Sequence, residues 1–158
     1  MSERQVLQLD NFYISKLHID WEDASDKVTK FKVYVDYSVQ QHKELKDKFK
    51  LNFSFRGSTM VNKKKSGFFV DTDMCGFFTF PEGYDEDEKQ VLIRVNGLTI
   101  LYGILRGQIA LCTGSFPEGK ITLPTLNMFE IVKKAEAKLE KKVSDSTSET
   151  IEIHDSPE

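Results

Sequence analysis

The length of the chain, 158 residues, predicts one domain with a core of its own and excludes a large multi-domain machine. Its composition, with 30% charged and 39% hydrophobic residues, is ordinary for a soluble globular protein. Two cysteines, Cys75 and Cys112, are too few and too unpatterned for a disulfide framework or a zinc site.

No stretch of the sequence is predicted to cross a membrane. The first residues, MSERQVLQLD, contain no apolar segment of the signal-peptide type. The longest apolar run is interrupted by Arg106 and Gln108, which makes it a poor membrane span. We therefore expect a cytoplasmic protein with no membrane partner.

The charge of the chain is uneven. Residues 144–158 contain five acidic side chains and no Lys or Arg, so the rest of the chain carries 22 basic against 20 acidic residues. Ser, Thr, Asp and Glu dominate this segment, and such a composition buries too little apolar surface to order itself. We predict a folded domain over residues 1–143 and a disordered acidic tail over residues 144–158.

Four segments before residue 81 alternate apolar and polar residues, as half-buried antiparallel strands do. The second and third, Phe31 to Val39 and Phe49 to Phe55, are regular. The first, Leu7 to Trp21, loses its alternation between Asn11 and Ser15, which predicts a bulge there.

The fourth strand, Gly67 to Phe80, is apolar on its even positions and mixed on the other face. On that mixed face Asp71 and Asp73 alternate with Phe69 and Phe77. Exposed aromatic side chains beside carboxylates indicate a surface that contacts a partner.

Helical periodicity dominates the segment from Leu98 to Cys112. Apolar residues fall on more than one side of this helix, which is typical of a helix buried on more than one side. A strip of small residues would allow another backbone to approach, and we predict an oligomer interface there. Its members are Thr99, Gly103, Gly107 and Ala110, with Arg106 expected to meet a carboxylate or carbonyl groups at the interface.

Two further helices are predicted around the long one. A short helix from Glu88 to Val95 should break at Asn96-Gly97, and Gly114 should end the long helix in the left-handed conformation. Asn127, with Glu130 three residues later, is a good N-cap for a last helix. The fold class is therefore α+β, with a four-stranded antiparallel sheet followed by a long interface helix and a shorter C-terminal helix.

Several of these segments together resemble a known family. The order of long helix, loop, Leu-Pro segment and last helix is carried by Ile100-Leu101-Tyr102, Arg106, Phe116-Pro117 and the stretch Leu123 to Met128. The strand residues Leu7 to Leu9, Phe31 to Asp36 and Phe69 to Phe78 also match. On these features the chain resembles the SecB family of cytosolic protein-export chaperones.

The resemblance implies a SecB-like homo-oligomer, a dimer or a tetramer, that holds unfolded polypeptides without ATP and without a cofactor. In that family an apolar surface of the second strand and the last helix binds the client. Carried over position by position, the client-binding residues are Phe31, Val33, Val35, Met128, Ile131, Val132 and Ala135.

Departures from the family pattern concern the partner. The crossover from Glu22 to Thr29 is short, and Lys16 stands where the export chaperone carries an acid that docks the SecA motor. The resemblance leaves Asp20, Phe69 and Asp71 as candidate residues for docking SecA or another partner. Such departures are typical of a relative with a single dedicated client, for example the antitoxin of a toxin-antitoxin pair.

Enzymatic and nucleic-acid functions find little support. His18, His42 and His154 lie far apart with no metal-ligand spacing, and we predict neither catalytic residues nor a metal. The run Lys63 to Lys65 resembles a solvated turn, without the aromatic residues that accompany nucleic-acid binding.

Three kinds of function stay open at this point. The first is a general holdase for unfolded clients, acting through preferential binding of the unfolded state. The second is a dedicated chaperone or adaptor of one partner, such as an antitoxin. The third is a carrier of a small molecule in a cavity beneath the helices.

Overall fold

The structure is a computed structural model that describes residues 6–22, 30–61, 64–117 and 119–153. Four strands come first: β1 (Gln8–Trp21), β2 (Lys30–Gln41), β3 (Lys48–Val61) and β4 (Lys64–Thr79). They form one antiparallel sheet in the order β1-β4-β3-β2. Helices α1 (Glu86–Leu92), α2 (Leu98–Cys112) and α3 (Met128–Ile153) follow. The predicted α+β class and four-stranded sheet are confirmed.

The strands lie where the alternation predicts them, but they run further. Lys64 and Lys65, two of the three lysines predicted to lie in a solvated turn, belong to β4. Residues 62–63, and most of the predicted crossover between β1 and β2 (residues 23–29), lie outside the described residues.

The two faces of the sheet differ as the alternation requires. The core face carries the buried side chains of β3 and β4, which are Phe49, Leu51, Phe53, Phe55, Phe68, Val70, Met74 and Phe78. The outer face carries Lys50, Asn52, Ser54 and Arg56 of β3, which are partly or fully exposed. Because side chains point alternately to opposite faces of a strand, one sequence of alternating residues builds both surfaces.

The predicted irregularity of β1 is confirmed. The pairing of β1 with β4 shifts register between Leu9 and Asn11 and again between Ile14 and Lys16. Each shift returns the apolar residues of β1 to the core face, which explains why Phe12 and Ile14 fall on even positions while Leu17 and Ile19 fall on odd ones.

A single helical run of 27 residues joins α1 to α2, from Glu86 to Cys112. It begins with a capping box in which the Asp85 side chain accepts from the backbone N–H of Glu88, and the Glu88 side chain accepts from that of Asp85. The predicted break at Asn96-Gly97 is wrong, since the chain continues through a five-residue π-helical segment, Ile93–Gly97. Gly97 lies there against the core, where a Cβ atom would come within 2.9 Å of Leu51.

Helix α2 packs on the core face of the sheet. Leu98, Leu101, Leu105 and Ile109 are fully buried, and the ring of Tyr102 lies 5.5 Å from that of Phe55. By length and composition alone the run Glu86–Cys112 could cross a membrane, but core helices of folded domains pass the same test.

The end of α2 differs from the prediction. Gly114 is not among the glycines with positive φ, and the helix is ended by Thr113, whose backbone has φ −97° and ψ 3°. The Thr113 hydroxyl donates to the carbonyl oxygen of Ile109 and accepts from the N–H of Ile121, at 2.7 and 2.8 Å. A buried threonine therefore ends the helix and anchors the returning chain.

The chain divides into two compact units, Met1–Pro124 and Thr125–Glu158. The second contains α3, whose start at Met128 is capped as predicted, because Asn127 Oδ1 accepts from the N–H of Glu130. Helix α3 has 26 residues and continues to Ile153, beyond the predicted start of a disordered tail at Ser144. Residues 154–158 lie outside the described part of the chain.

Candidate functional site

Strand β2 forms one edge of the sheet. Within the described chain it pairs with β3 on one side and has no strand on the other. An edge strand presents unpaired main-chain groups along its outer side, which another extended chain can use. The position of β2 therefore provides main-chain binding groups that do not depend on the sequence of the bound segment.

The predicted client residues of β2 form a half-buried row on the core face. Phe31, Val33 and Val35 are each partly covered, while the residues between them are exposed. Phe31 is stacked with Phe68, with ring centroids 6.4 Å apart. It lies against Gly57, where a Cβ atom would approach the Phe31 ring to 2.8 Å. The absence of a side chain at Gly57 thus makes room for the Phe31 ring.

The predicted client residues of α3 lie on one stripe of that helix. Met128 and Val132 are buried, and Ile131 and Ala135 are half-buried. Phe129, Leu139 and Val143 are exposed apolar side chains that the sequence analysis did not assign. The use of either row by a client remains a prediction.

The predicted oligomer interface on α2 is an open strip. Nothing lies within 4 Å of a Cβ atom built on Gly103 or Gly107, and Thr99 is exposed with its hydroxyl bound to the carbonyl oxygen of Val95. Ala110 is half-exposed, and Leu111 beside it is 79% exposed. The use of this strip between subunits remains a prediction.

Arg106 differs from the rest of that strip. Its Nε donates to the carbonyl oxygen of Leu123 at 3.1 Å, within the same subunit. One turn earlier the Tyr102 hydroxyl donates to the carbonyl oxygen of Pro124 at 2.5 Å. Burial raises the pKa of Tyr102 to about 12, with the nearby Arg106 charge acting in the opposite direction. Arg106 therefore has its carbonyl partner within the subunit rather than at the predicted interface, and both side chains secure the segment after α2.

The candidate docking residues lie on the outer face, and their carboxylates already have partners. Asp71 accepts from Lys16 Nζ at 2.6 Å and lies 3.5 Å from Arg56 Nε. The hydrogen bond from Lys16 is the main reason why the pKa of Asp71 lies below its usual range. Asp20 lies 2.7 Å from Nε2 of His18, whose ring is 6.2 Å from that of Phe69.

Arg56 and Tyr34 are outer-face residues that sequence reasoning missed. The Arg56 guanidinium lies 5.7 Å from the centre of the Tyr34 ring, and that ring is 53% exposed. Tyr34 and Arg56 are register partners across β2 and β3, next to the pair Val33 and Gly57. The sequence alone could have brought them together only if the register of these two strands were known.

Comparison with known proteins gives a fold but no close relative. No protein-family model matches the sequence, and no curated protein matches it significantly. Among solved structures the chain is similar to the Mycobacterium tuberculosis SecB-like chaperone Rv1957, in complex with a ChAD peptide from the HigA1 antitoxin. The TM-score is 0.59 at 15% identity, over 77% of this chain and 91% of that one. The chain has the SecB-like fold.

A second similar structure, a Streptococcus agalactiae protein of unknown function, has a TM-score of 0.45 at 12% identity, over 78% of this chain and all of that one. The SecB-like fold confirms the resemblance seen in the sequence. It does not by itself assign a client, a motor or an oligomeric state to this chain.

The described part of the SecB-like chain holds no group of three or more His, Cys, Asp or Glu side chains that could bind a metal ion. Cys75 is buried on the outer face beside Tyr13, and Cys112 is exposed. His18 and His42 lie in the first unit, and His154 is outside the described residues.

Proposed function

We propose that this protein is an ATP-independent holdase that binds unfolded or extended polypeptides through its apolar surfaces. The observation that carries the proposal is the half-buried apolar row of Phe31, Val33 and Val35 on an edge strand of a SecB-like sheet. A client segment that adds to such an edge gains main-chain hydrogen bonds with any sequence, while the apolar row selects hydrophobic side chains.

The stripe on α3 would supply a second apolar contact. Ile131 and Ala135 are half-buried, and Phe129 adds an exposed aromatic side chain one position from the buried Met128. Exposed apolar surface on a folded chain is characteristic of sites that bind other polypeptides. Preferential binding of the unfolded client then keeps it unfolded by mass action, and no chemical step is needed.

The experiment replaces one apolar residue on each element, as Val33→Asp combined with Ile131→Asp. Client binding is measured as suppression of aggregation of a chemically denatured test protein, and as the affinity for a fluorescent extended peptide. We expect affinity to fall by at least about tenfold, because a carboxylate in an apolar contact must be desolvated. Lys32→Asp is the matched control, since Lys32 is exposed on the opposite face of the same strand.

Two results would argue against the holdase proposal. The first is wild-type protein that does not suppress aggregation at near-stoichiometric amounts. The second is equal loss of binding in Val33→Asp with Ile131→Asp and in Lys32→Asp, with circular dichroism unchanged in both. If the double variant unfolds, Val33→Thr with Ile131→Thr tests the same contacts with a smaller change.

A dedicated chaperone of one partner is the second candidate. It is favoured by the similar Mycobacterium structure, which is in complex with an antitoxin peptide. On this proposal one antitoxin-like protein co-purifies with the chain in fixed ratio, and unrelated denatured proteins do not displace it. Free exchange of that partner for unrelated clients would favour the general holdase instead.

SecA docking on Asp20, Phe69 and Asp71 is the less favoured extension. A motor that approaches Asp71 would compete with Lys16 and Arg56, which already neutralise its carboxylate. The proposal also includes a cytoplasmic homo-oligomer, a dimer or a tetramer, assembled through the open strip of Thr99, Gly103, Gly107 and Ala110 on α2.

A further inference from the structure

One end of the sheet contains a cavity that the proposed function does not use. It has a volume of about 980 Å³ and is lined by the end of β2, the β2–β3 connection and neighbouring residues of β3, β4 and β1. This volume lies at the upper end of the range of about 300–1,000 Å³ that is typical of small-ligand pockets. Phe77, half-buried on the outer face of β4, supplies an aromatic wall.

Three lysines stand out in the polar lining of this cavity. Lys43, Lys48 and Lys50 all line it, and none of their ammonium groups forms an ion pair with another described residue. Lys50 is half-buried beside Phe77, its register partner in β4. Ammonium groups that have no carboxylate partner and line a concave surface attract an anion.

His42 adds a fourth donor. Its Nδ1 accepts from the backbone N–H groups of Glu44 and Leu45, at 3.2 and 3.0 Å. In a neutral imidazole one ring nitrogen accepts and the other donates, so the proton lies on Nε2. The same connection is fixed by bonds from His42 N to Lys48 O and from Lys48 N to Leu45 O, at 2.8 and 3.0 Å. The backbone of this connection and the His42 ring are therefore held in place before a ligand arrives.

Two carboxylates also line the cavity, and they do not cancel the lysines. Asp10 accepts from the hydroxyl of Thr79 at 2.5 Å and keeps its charge, so with Glu44 there are two carboxylates against three ammonium groups, and the lining stays positive by one charge. A ligand that fits this lining carries a negative charge for Lys48 and Lys50 and an apolar body for Phe77.

We propose that this cavity binds an amphipathic carboxylate, in which the carboxylate meets Lys48 and Lys50 and the apolar body lies against Phe77. Such a group can belong to a small organic acid or to an acidic side chain beside an aromatic residue in a peptide. The site lies on the outer face and does not depend on the proposed client contacts of Val33 and Ile131. The two proposals can therefore fail separately.

The test uses the full chain and titration calorimetry with three probes of one shape: phenylbutyrate, phenylbutylamine and phenylbutanol. Two short blocked peptides, one with Phe beside Glu and one with Phe beside Lys, form the second arm. We expect the carboxylate probes to bind at least about tenfold more tightly than their neutral or cationic counterparts. Tighter binding of the acidic peptide assigns the site to polypeptides, and tighter binding of phenylbutyrate assigns it to small acids.

Lys50→Gln removes the charge beside Phe77 while keeping most of the side-chain length, and should weaken phenylbutyrate binding by about tenfold. Lys30→Gln, at the opposite end of β2 and exposed, should leave it unchanged. Equal binding of phenylbutyrate and phenylbutanol would overturn the proposal, as would equal effects of Lys50→Gln and Lys30→Gln. Thermal unfolding of both variants close to that of the wild type shows that the fold is intact.

Discussion

Arg106 Nε on α2 donates to the carbonyl oxygen of Leu123 at 3.1 Å, across 17 residues of sequence. Tyr102, on the same side of the helix, donates to the carbonyl oxygen of Pro124 at 2.5 Å. Between α2 and Leu123 the chain turns back through Gly119, whose φ of 80° is left-handed. These two bonds hold the extended segment that ends the first unit, so a charged residue within an apolar helix has a structural role inside one subunit.

Arg106→Met should lower the free energy of unfolding by about 1.5–3 kcal/mol, the range for a hydrogen bond from a charged group. The loss arises because Leu123 is buried and its carbonyl oxygen keeps no equivalent donor. Urea unfolding followed by circular dichroism measures the change. Gln108→Met, also half-buried on α2, is the control and should change stability by less than about 0.5 kcal/mol. Equal effects of the two variants would show that the Arg106 bond contributes nothing.

Tyr102 should make the protein less stable in strong alkali. Its pKa is raised from 10.0 in the unfolded chain to about 12 in the folded one. The unfolded state therefore loses its proton first, so the contribution is complete below pH 10 and is lost as the pH rises through about 12. Thermal unfolding of wild type and Tyr102→Phe across this window measures the effect. The fall of stability with rising pH should be shallower in Tyr102→Phe than in the wild type. Identical slopes would show that Tyr102 is not its cause.

Local sequence patterns were sufficient to predict the sheet and the bulges of β1. Period-two alternation in β2 and β3 reports which face is buried, and the phase change around Asn11–Ser15 reports where register must shift. The break at Asn96-Gly97 was wrong because helix propensity ignores tertiary packing. Gly97 is buried against Leu51, and that contact favours a helical path that an isolated Asn-Gly pair would not take.

Sites that depend on strand order could not be predicted in the same way. Lys16 meets Asp71 only because β1 lies beside β4, a neighbour 55 residues away in sequence. The cavity with Lys48 and Lys50 likewise needs the end of β2, the connection after it and Phe77 to meet. Each contributing residue resembles an ordinary solvated lysine or strand phenylalanine until the register is known.

Two glycines test the difference between the open strip and the core. Gly107→Ala should raise the stability of the subunit by about 0.5–1 kcal/mol, since alanine favours helix and nothing lies near the new methyl group. Gly76→Ala should cost about 1–3 kcal/mol, because its Cβ would lie 2.8 Å from Phe78 and 2.9 Å from Leu101, which are both buried. Chemical unfolding measures both changes.

Gly107→Leu extends the same test to assembly. No atom of the subunit lies within 4 Å of the new Cβ atom, so helix content should be unchanged, while a second backbone could no longer approach the strip. Light scattering should then report a smaller particle than wild type. An unchanged oligomer with leucine at this position would place the subunit interface elsewhere on the molecule.

Asp71 should make stability fall at acid pH. Its pKa is lowered chiefly by the hydrogen bond from Lys16, so the folded state holds the carboxylate ionised at a pH where the unfolded chain binds a proton. The contribution is present above the ordinary aspartate pKa of about 3.9 and is lost as the pH falls through the lower folded value. Lys16→Met should flatten this acid limb of the stability curve, because Arg56 alone lies further from the carboxylate, at 3.5 Å.

Lys32→Met, exposed on the same face and without an ion pair to a described residue, should leave the limb unchanged. Unfolding by urea between neutral pH and strong acid gives both curves, and parallel curves for the two variants would remove Asp71 as the cause.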